Sequence, residues 1–372
     1  MNTNTINLNK VIFVGLDVHK DSISLAAVQG YDKTLIAEKR FGTKCLKKLQ
    51  KFLDKLSKNG PVHCCYEASG AGYALRRTIV GWGFHCDIAA STLIPKKPGE
   101  RKKCDRLDAR NIAGYYQSGL LTIIHVPTQE QEAARDLVRF RQALRKDVTC
   151  WKHRIVKFLA TKGVVYHDGS NWTGQHRAWL EDVELIQKLD RLTLRHQLEA
   201  LCATEARLDE IDVEIKALAE TEPYRTPVSF LLGFKGVKTH TAMVLVTELA
   251  DVRRFPDMQK LMDYTGLTPS VNQSGGSDNK AHSITKAGNS RLRHVLVQAA
   301  WNYAKSPRRS KELQRRQEGL PAWVIERSNK CQRRLYKRFH HLAGTRDRKK
   351  AVVGIARELA GFLGAVLTEL AA

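Results

Sequence analysis

From residue 11 the chain opens with three short runs in which apolar and β-branched residues dominate or alternate with polar ones: VIFVGLDV (11–18), SISLAAVQ (22–29) and TLIAEKRF (34–41), separated by turn residues. That pattern predicts an antiparallel meander. The period then changes. In CLKKLQKFLDKL (45–56), Leu46, Leu49, Phe52, Leu53 and Leu56 share one helical stripe, and Asn59-Gly60-Pro61 ends it. VHCCYE (62–67) reads as a buried strand, AGYALRRTIVGWG (71–83) as a helix, HCDIAAS (85–91) as a strand and DRLDARNIAGYYQSG (105–119) as a helix. A meander followed by alternating helix and strand predicts a mixed sheet with helices on its faces.

Beyond Pro127 the pattern is helical. Thr128 with Gln131 forms a capping-box signature at the head of a long helix, along which Leu144, Val148, Trp151, Ile155 and Phe158 recur. After a break near 168–174, Leu201, Leu208, Ile211, Ile215 and Leu218 form a heptad-like seam. Two packed core helices would explain it, and so would an arm that pairs with a second subunit. FLLGFKGVKTHTAMVLVTEL (230–249) reads as helix, tight turn, helix; residues 264–289 are a Gly/Ser/Asn-rich loop; 290–305 is a helix again. The apolar run 351–370 carries Arg357, Glu358 and Glu369, so an amphipathic helix suits it better than a bilayer span. The expected division is 9–125, 126–225 and 226–372.

Charge sharpens the picture. The 372 residues hold 62 Lys and Arg against 38 Asp and Glu, a net charge of +24. So strong a bias points to a polyanion, nucleic acid first and an anionic membrane surface second. Residues 301–350 hold sixteen Lys or Arg and four acids, half of the excess. Eight cysteines occur without a C-x-x-C pair, which argues against a zinc knuckle and against a disulfide framework. With no charged-then-apolar leader, the chain reads as soluble and cytoplasmic, with no membrane partner.

Four carboxylates carry the candidate chemistry. Asp17 lies in an apolar strand, where an ionised group is costly without a counter-charge. Glu67 ends the strand 62–67, and Asp105 and Asp108 share one face at the start of a helix. Each has a plain structural explanation: a hairpin Asp, a strand-end Glu, acids complementing a helix dipole. A ribonuclease H-like fold, however, brings these places to one sheet edge. Carboxylates converging there repel one another unless divalent cations intervene, and hard oxygen ligands suit Mg²⁺ or Mn²⁺. Two such ions would form a nuclease centre.

GLDVHK (15–20), YEASG (66–70), DRLDAR (105–110), GLTPSVNQSGG (266–276) and ITKAGNSRLR (284–293) resemble the DEDD transposases of the insertion-sequence 110/1111 family. The resemblance extends over nearly the whole chain. It implies a RuvC-like N-terminal α/β domain, a helical coiled-coil arm and a mainly α C-terminal transposase domain. It places the acidic tetrad on Asp17, Glu67, Asp105 and Asp108, with two divalent ions, and a nucleophilic serine on Ser274. It further implies a covalent phosphoserine intermediate, donor and target DNA as substrates, and a structured noncoding bridge RNA as guide. A dimer or tetramer is expected, since strand exchange needs several cuts.

Ser274 also fits on chemical grounds. Gly275 and Gly276 let the backbone approach a phosphate, and Lys280, His282, Lys286, Arg291 and Arg293 could neutralise the transferring group. Ser270 and Ser277 are neighbours with the same functional group. GFKGVKTHTA (233–242) resembles a helix-hairpin-helix, but Lys238 stands where a second glycine is expected; Lys235 and Lys238 could supply charge instead. His19 and Lys20 flank Asp17 in a substrate-contacting or merely hairpin-turning role. Trp301, Tyr303, Trp323, Tyr336 and Phe339, interleaved with Lys and Arg, suit base stacking or a core. Two further functions compete: a RuvC-like junction nuclease that hydrolyses with water, and a basic nucleic-acid packaging protein.

Overall fold

The structure, a computed structural model, describes residues 10–30, 33–95, 105–270 and 283–371. The chain divides into two compact units, Met1–Val126 and Pro127–Ala372.

The first unit is a five-stranded sheet of β1 (Ile12–Val18), β2 (Ser22–Gln29), β3 (Thr34–Gly42), β4 (Val62–Glu67) and β5 (His85–Ala89), in the order β3-β2-β1-β4-β5. β1, β2 and β3 form the expected meander, whereas β4 and β5 join β1 in parallel. The helices are α1 (Lys47–Ser57), α2 (Ala74–Gly81) and α3 (Asp105–Gln117). The alternation of β1 decides what each covers. Ile12, Val14 and Leu16 pack with Cys64 and Tyr66 beneath Leu49 and Leu53 of α1 and Leu75 and Ile79 of α2. Val11 and Phe13 meet Ala113 and Tyr116 of α3 on the opposite face, and Cys65 and Ala89 meet Ile112 there. This is the mixed, helix-flanked sheet of a ribonuclease H-like domain.

In the second unit, α4 (Gln129–Thr161), α5 (Gly174–Asp182) and α6 (Lys188–Ala219) come first. The capping box forms in full: Gln131 N donates to Thr128 Oγ1 at 3.2 Å and Thr128 N donates to Gln131 Oε1 at 3.1 Å. α4 and α6 lie antiparallel, with Arg141 on Asp212, Lys152 on Glu205 and Lys162 on Asp190. Leu144, Val148, Ile155 and Leu159 of α4 bury Leu194, Leu201 and Leu208 of α6. The seam is therefore covered within the chain. α7 (Arg225–Leu232), α8 (Thr239–Leu249), α9 (Met258–Tyr264), α10 (Ser290–Ala300), α11 (Lys311–Gln317), α12 (Ala322–Thr345) and α13 (Arg348–Ala371) complete the unit. α13 is the one helix among the described residues long and apolar enough to cross a membrane. It instead buries Val352, Ile355, Leu359 and Leu363 in the core shared by α8, α10 and α12. Tyr303 and Phe339, two of the aromatics suited to stacking, are each 1% exposed and belong to that core.

Candidate metal centre

Gly15 sets the geometry of the first unit's site. A Cβ there would lie 2.1 Å from Ala109 O and 2.5 Å from Ala113 N, so only a residue without a side chain lets α3 rest on the β1 backbone. That close approach carries the first turn of α3 over Asp17, two residues beyond Gly15 and on the same sheet face. From β3, Glu38 accepts from Arg106 at 2.7 Å and from both Nε and Nη2 of Arg110, fixing the start of α3 from the other side. The Arg110 hydrogen bond leads in holding the Glu38 carboxyl down at about 2.

Asp17, His19 and Asp105 form one group whose ligand atoms all lie within 4.8 Å of one another. His19 Nε2 stands 3.0 Å from Asp17 Oδ2 and 3.5 Å from Asp105 Oδ1, and Arg40 reaches Asp105 at 3.6 Å. Burial pushes the Asp17 carboxyl above its ordinary value; His19 pulls it back, while Asp105 and Asp108 push it further up. Asp108 thus shares the electrostatic field of the site. Glu67 is exposed at the end of β4 and lies outside the close group. The parallel register sets Leu16 opposite Tyr66, which makes Asp17 and Glu67 the next residues on neighbouring strands. Carboxylates gathered at one sheet edge, where Asp105 and Asp108 push the Asp17 carboxyl upward, fit a divalent cation, which relieves their repulsion. His19 is the addition that sequence left open; its position two residues after Asp17, where β1 turns into β2, was the available signal.

Residues 14–162 match a DEDD-type transposase model, and residues 228–315 match the model of the transposase IS116/IS110/IS902 family. A putative transposase of Sinorhizobium fredii is 35% identical over 313 residues, spanning 83% of this chain and 76% of the relative. The chain belongs to the IS116/IS110/IS902 transposase family. The transposase for insertion sequence element IS1533 of Leptospira borgpetersenii is 29% identical over 92% of this chain and 99% of its own length. That of IS1111A of Coxiella burnetii is 24% identical over 79% and 78%. The family makes this chain a DNA transposase by class, with a candidate cation site in its first unit.

In the second unit of the transposase, Ser274, Ser277, Lys280 and His282 lie outside the described residues. The stem that leads to them is defined. Thr285 N donates to Thr268 O at 2.9 Å and Ser270 N donates to Ser283 O at 3.0 Å. The Ser270 hydroxyl also donates to Ser283 O, at 2.6 Å, and so is engaged in holding the stem. Gly288, at φ 103°, passes so close to Tyr264 that a Cβ would lie 2.2 Å from its carbonyl oxygen. Asn289 then caps α10, accepting from Arg291 N and Leu292 N, and its Nδ2 donates to Glu248 Oε2 at 2.7 Å. Glu248 is buried; burial raises its pKa, but the bidentate Arg139 fork at 2.7 and 2.8 Å, with Asn289, brings it below the ordinary value. The Arg139–Glu248 ion pair therefore joins α4 to α8, and the Asn289 hydrogen bond ties the head of α10 to the same carboxylate.

The candidate phosphate-binding residues differ in availability. Lys235 donates to Lys305 O at 3.2 Å and Ser306 O at 2.7 Å, and burial lowers its pKa. Arg293 donates to Thr265 O at 2.9 Å. Lys238, Lys286 and Arg291 are exposed. On α12, Lys330, Arg333, Arg334, Lys337 and Arg338 form one exposed basic face, where Glu358 pairs with Arg334 and Arg338.

Proposed function

We propose that this transposase cleaves and rejoins donor and target DNA, using Asp17, Asp105, Asp108 and Glu67 to hold two Mg²⁺ or Mn²⁺ ions and Ser274 as the nucleophile. The Asp17–His19–Asp105 cluster carries this reading. Bound divalent cations supply Lewis-acid charge neutralisation at the scissile phosphate. Ser274 Oγ bonds to phosphorus as a P–O bond to the neighbouring nucleoside breaks; the serine proton passes to a base, and the leaving oxygen takes one up as a hydroxyl. His19, facing both Asp17 and Asp105, can hold a proton at Nε2. The phosphoserine ester conserves the phosphodiester bond energy, so attack by a hydroxyl of a second strand restores a DNA linkage and frees Ser274.

Donor and target DNA, and a structured noncoding guide RNA that pairs with them, are the proposed partners. The net charge of +24 and the basic face of α12 support phosphate-rich partners. Sequence choice would then rest with RNA pairing, the protein gripping backbone and shape. The segment 126–225 acts as an arm beside 226–372, the active assembly is a dimer or tetramer, and the reaction takes place in the cytoplasm.

Ser274→Ala is the test, with end-labelled DNA carrying the element's termini. It should abolish the protein–DNA adduct and strand joining, and Asp17→Ala should abolish all cleavage. A Ser274→Ala protein that still forms the adduct refutes the serine assignment. Cleavage without any adduct in the wild type, unaffected by Ser274→Ala, establishes a hydrolytic nuclease instead.

A further inference from the structure

A groove of 660 Å³ opens at the carboxyl ends of the parallel pair β1 and β4, on the α1 and α2 face of the sheet, and reaches the acidic cluster through His19. Crevices at the carboxyl ends of parallel strands are where α/β sheets hold ligands. One wall is the β1–β2 turn, with Val18, His19 and Lys20, and the other is the Ser69–Ala71 turn that follows β4. Each wall is thus rooted in a strand that carries a candidate carboxylate at or next to its end, Asp17 in β1 and Glu67 in β4. Ile23, Leu46 and Leu75 add apolar surface between them. His19 belongs to both places: it lines the groove and lies 3.0 Å from Asp17.

The three side-chain hydroxyls of the walls already bond to the protein backbone. Thr43 Oγ1 donates to Lys20 O at 2.8 Å, Thr78 Oγ1 donates to Ala74 O at 2.9 Å, and Ser69 Oγ accepts from Ala71 N at 3.4 Å. The groove therefore offers apolar contact inside and a cation, the exposed Lys20, at its rim. Apolar walls take the faces of a flat ring without reading its edges, and a rim ammonium pairs with a phosphodiester. The volume lies in the ~300–1,000 Å³ range of small-molecule sites, enough for one nucleoside.

Building on the proposed function, we propose that this groove seats one unstacked nucleoside of the DNA strand that crosses the acidic cluster, whichever base it bears, with Lys20 on the adjoining phosphate. Seating a nucleoside there would anchor the strand beside the carboxylates and leave base identity unread.

Ala74, exposed on the groove's edge, is the position at which to fill it. Full-length protein carrying Ala74→Trp is compared with wild type, in Mn²⁺, for binding of labelled dT, dC and dA dodecanucleotides and of an abasic dodecamer. Burial of one ring predicts a loss of about ten-fold for all three base-bearing strands. Affinity for the abasic strand should stay within about two-fold, since phosphate contacts are shared. The Mn²⁺ affinity should not move. Equal losses on base-bearing and abasic strands, no loss at all, or loss confined to one base would overturn the proposal. Should Ala74→Trp fail to fold, 4-thiothymidine in the dT strand provides the measurement on wild type: cross-links within residues 18–23 or 69–78 support the groove, and cross-links only elsewhere reject it. A wild type that binds no Mn²⁺ refutes the metal-site reading instead, a result distinct from failure of the groove.

Discussion

Replacing Gly15 by Ala tests how the fold assembles its acidic site. The added methyl would lie 2.1 Å from Ala109 O and 2.5 Å from Ala113 N, both backbone atoms of α3. Helix backbone cannot swing aside as a side chain can, so α3 must move off β1 by about 1 Å. Overpacking of this kind costs about 2 kcal/mol, which for a unit of this size lowers the melting temperature by roughly 5–10 °C. The same displacement carries Asp105 and Asp108 away from Asp17, and ligand positions matter to within ~0.2 Å. Mn²⁺ affinity should therefore fall by roughly 10–100-fold, the loss typical when support for metal ligands is disturbed. Gly114→Ala, on the same helix, is the control: its Cβ would meet only Lys33 Cδ, at 3.7 Å, and better helix propensity should leave stability equal or higher. Thermal unfolding and Mn²⁺ titration of both variants decide the matter. A Gly15→Ala protein with wild-type melting and wild-type Mn²⁺ affinity would refute the claim that this contact positions the carboxylates.

Asp17→Asn should raise thermal stability without metal while abolishing Mn²⁺ binding, because the folded-state pKa of Asp17 is raised and its charged form opposes folding at neutral pH; a lower melting temperature would contradict that. Glu38 has the opposite sign. Its pKa falls from 4.5 to about 2 on folding, so its contribution is complete above pH 4.5 and lost as pH drops toward 2. The stability gap between wild type and Glu38→Gln should accordingly close over that window, and a pH-independent gap would tell against the Arg106 and Arg110 contacts as its source. Glu248→Ala removes the carboxylate that accepts from both Arg139 and Asn289 and should cost about 2–3 kcal/mol in chemical denaturation; a loss below about 0.5 kcal/mol would mean that these bonds contribute little to joining α4, α8 and α10.

The first unit was legible because its period changes are sharp. Alternation in 11–41 and the leucine stripe of 45–56 each admit one element type, and β1 to β5 and α1 to α3 fall where the pattern predicts within a few residues. The site was legible as a list of acids, but its tightness came from Gly15, which a sequence shows only as a small residue in a strand. His19 escaped assignment because a histidine at a hairpin turn needs no function. The seam from Leu201 to Leu218 announced an apolar stripe without naming its cover, and α4 takes that place through Leu144, Val148 and Ile155. Interleaving of aromatics with Lys and Arg left stacking and core both open for Tyr303 and Phe339, since a helix with one buried and one basic face produces the same alternation; burial of both decides for the core. Trp323, by contrast, is partly exposed and packs edge-on against Phe230.

The central claim is that the end of β1 and the start of α3 together hold a divalent cation. Crystals soaked in Mn²⁺ and measured at the manganese absorption edge test it directly. The account predicts an anomalous peak within coordination distance of Asp17 and Asp105, absent from Asp17→Asn crystals. Strong manganese peaks elsewhere with none at these carboxylates would contradict it.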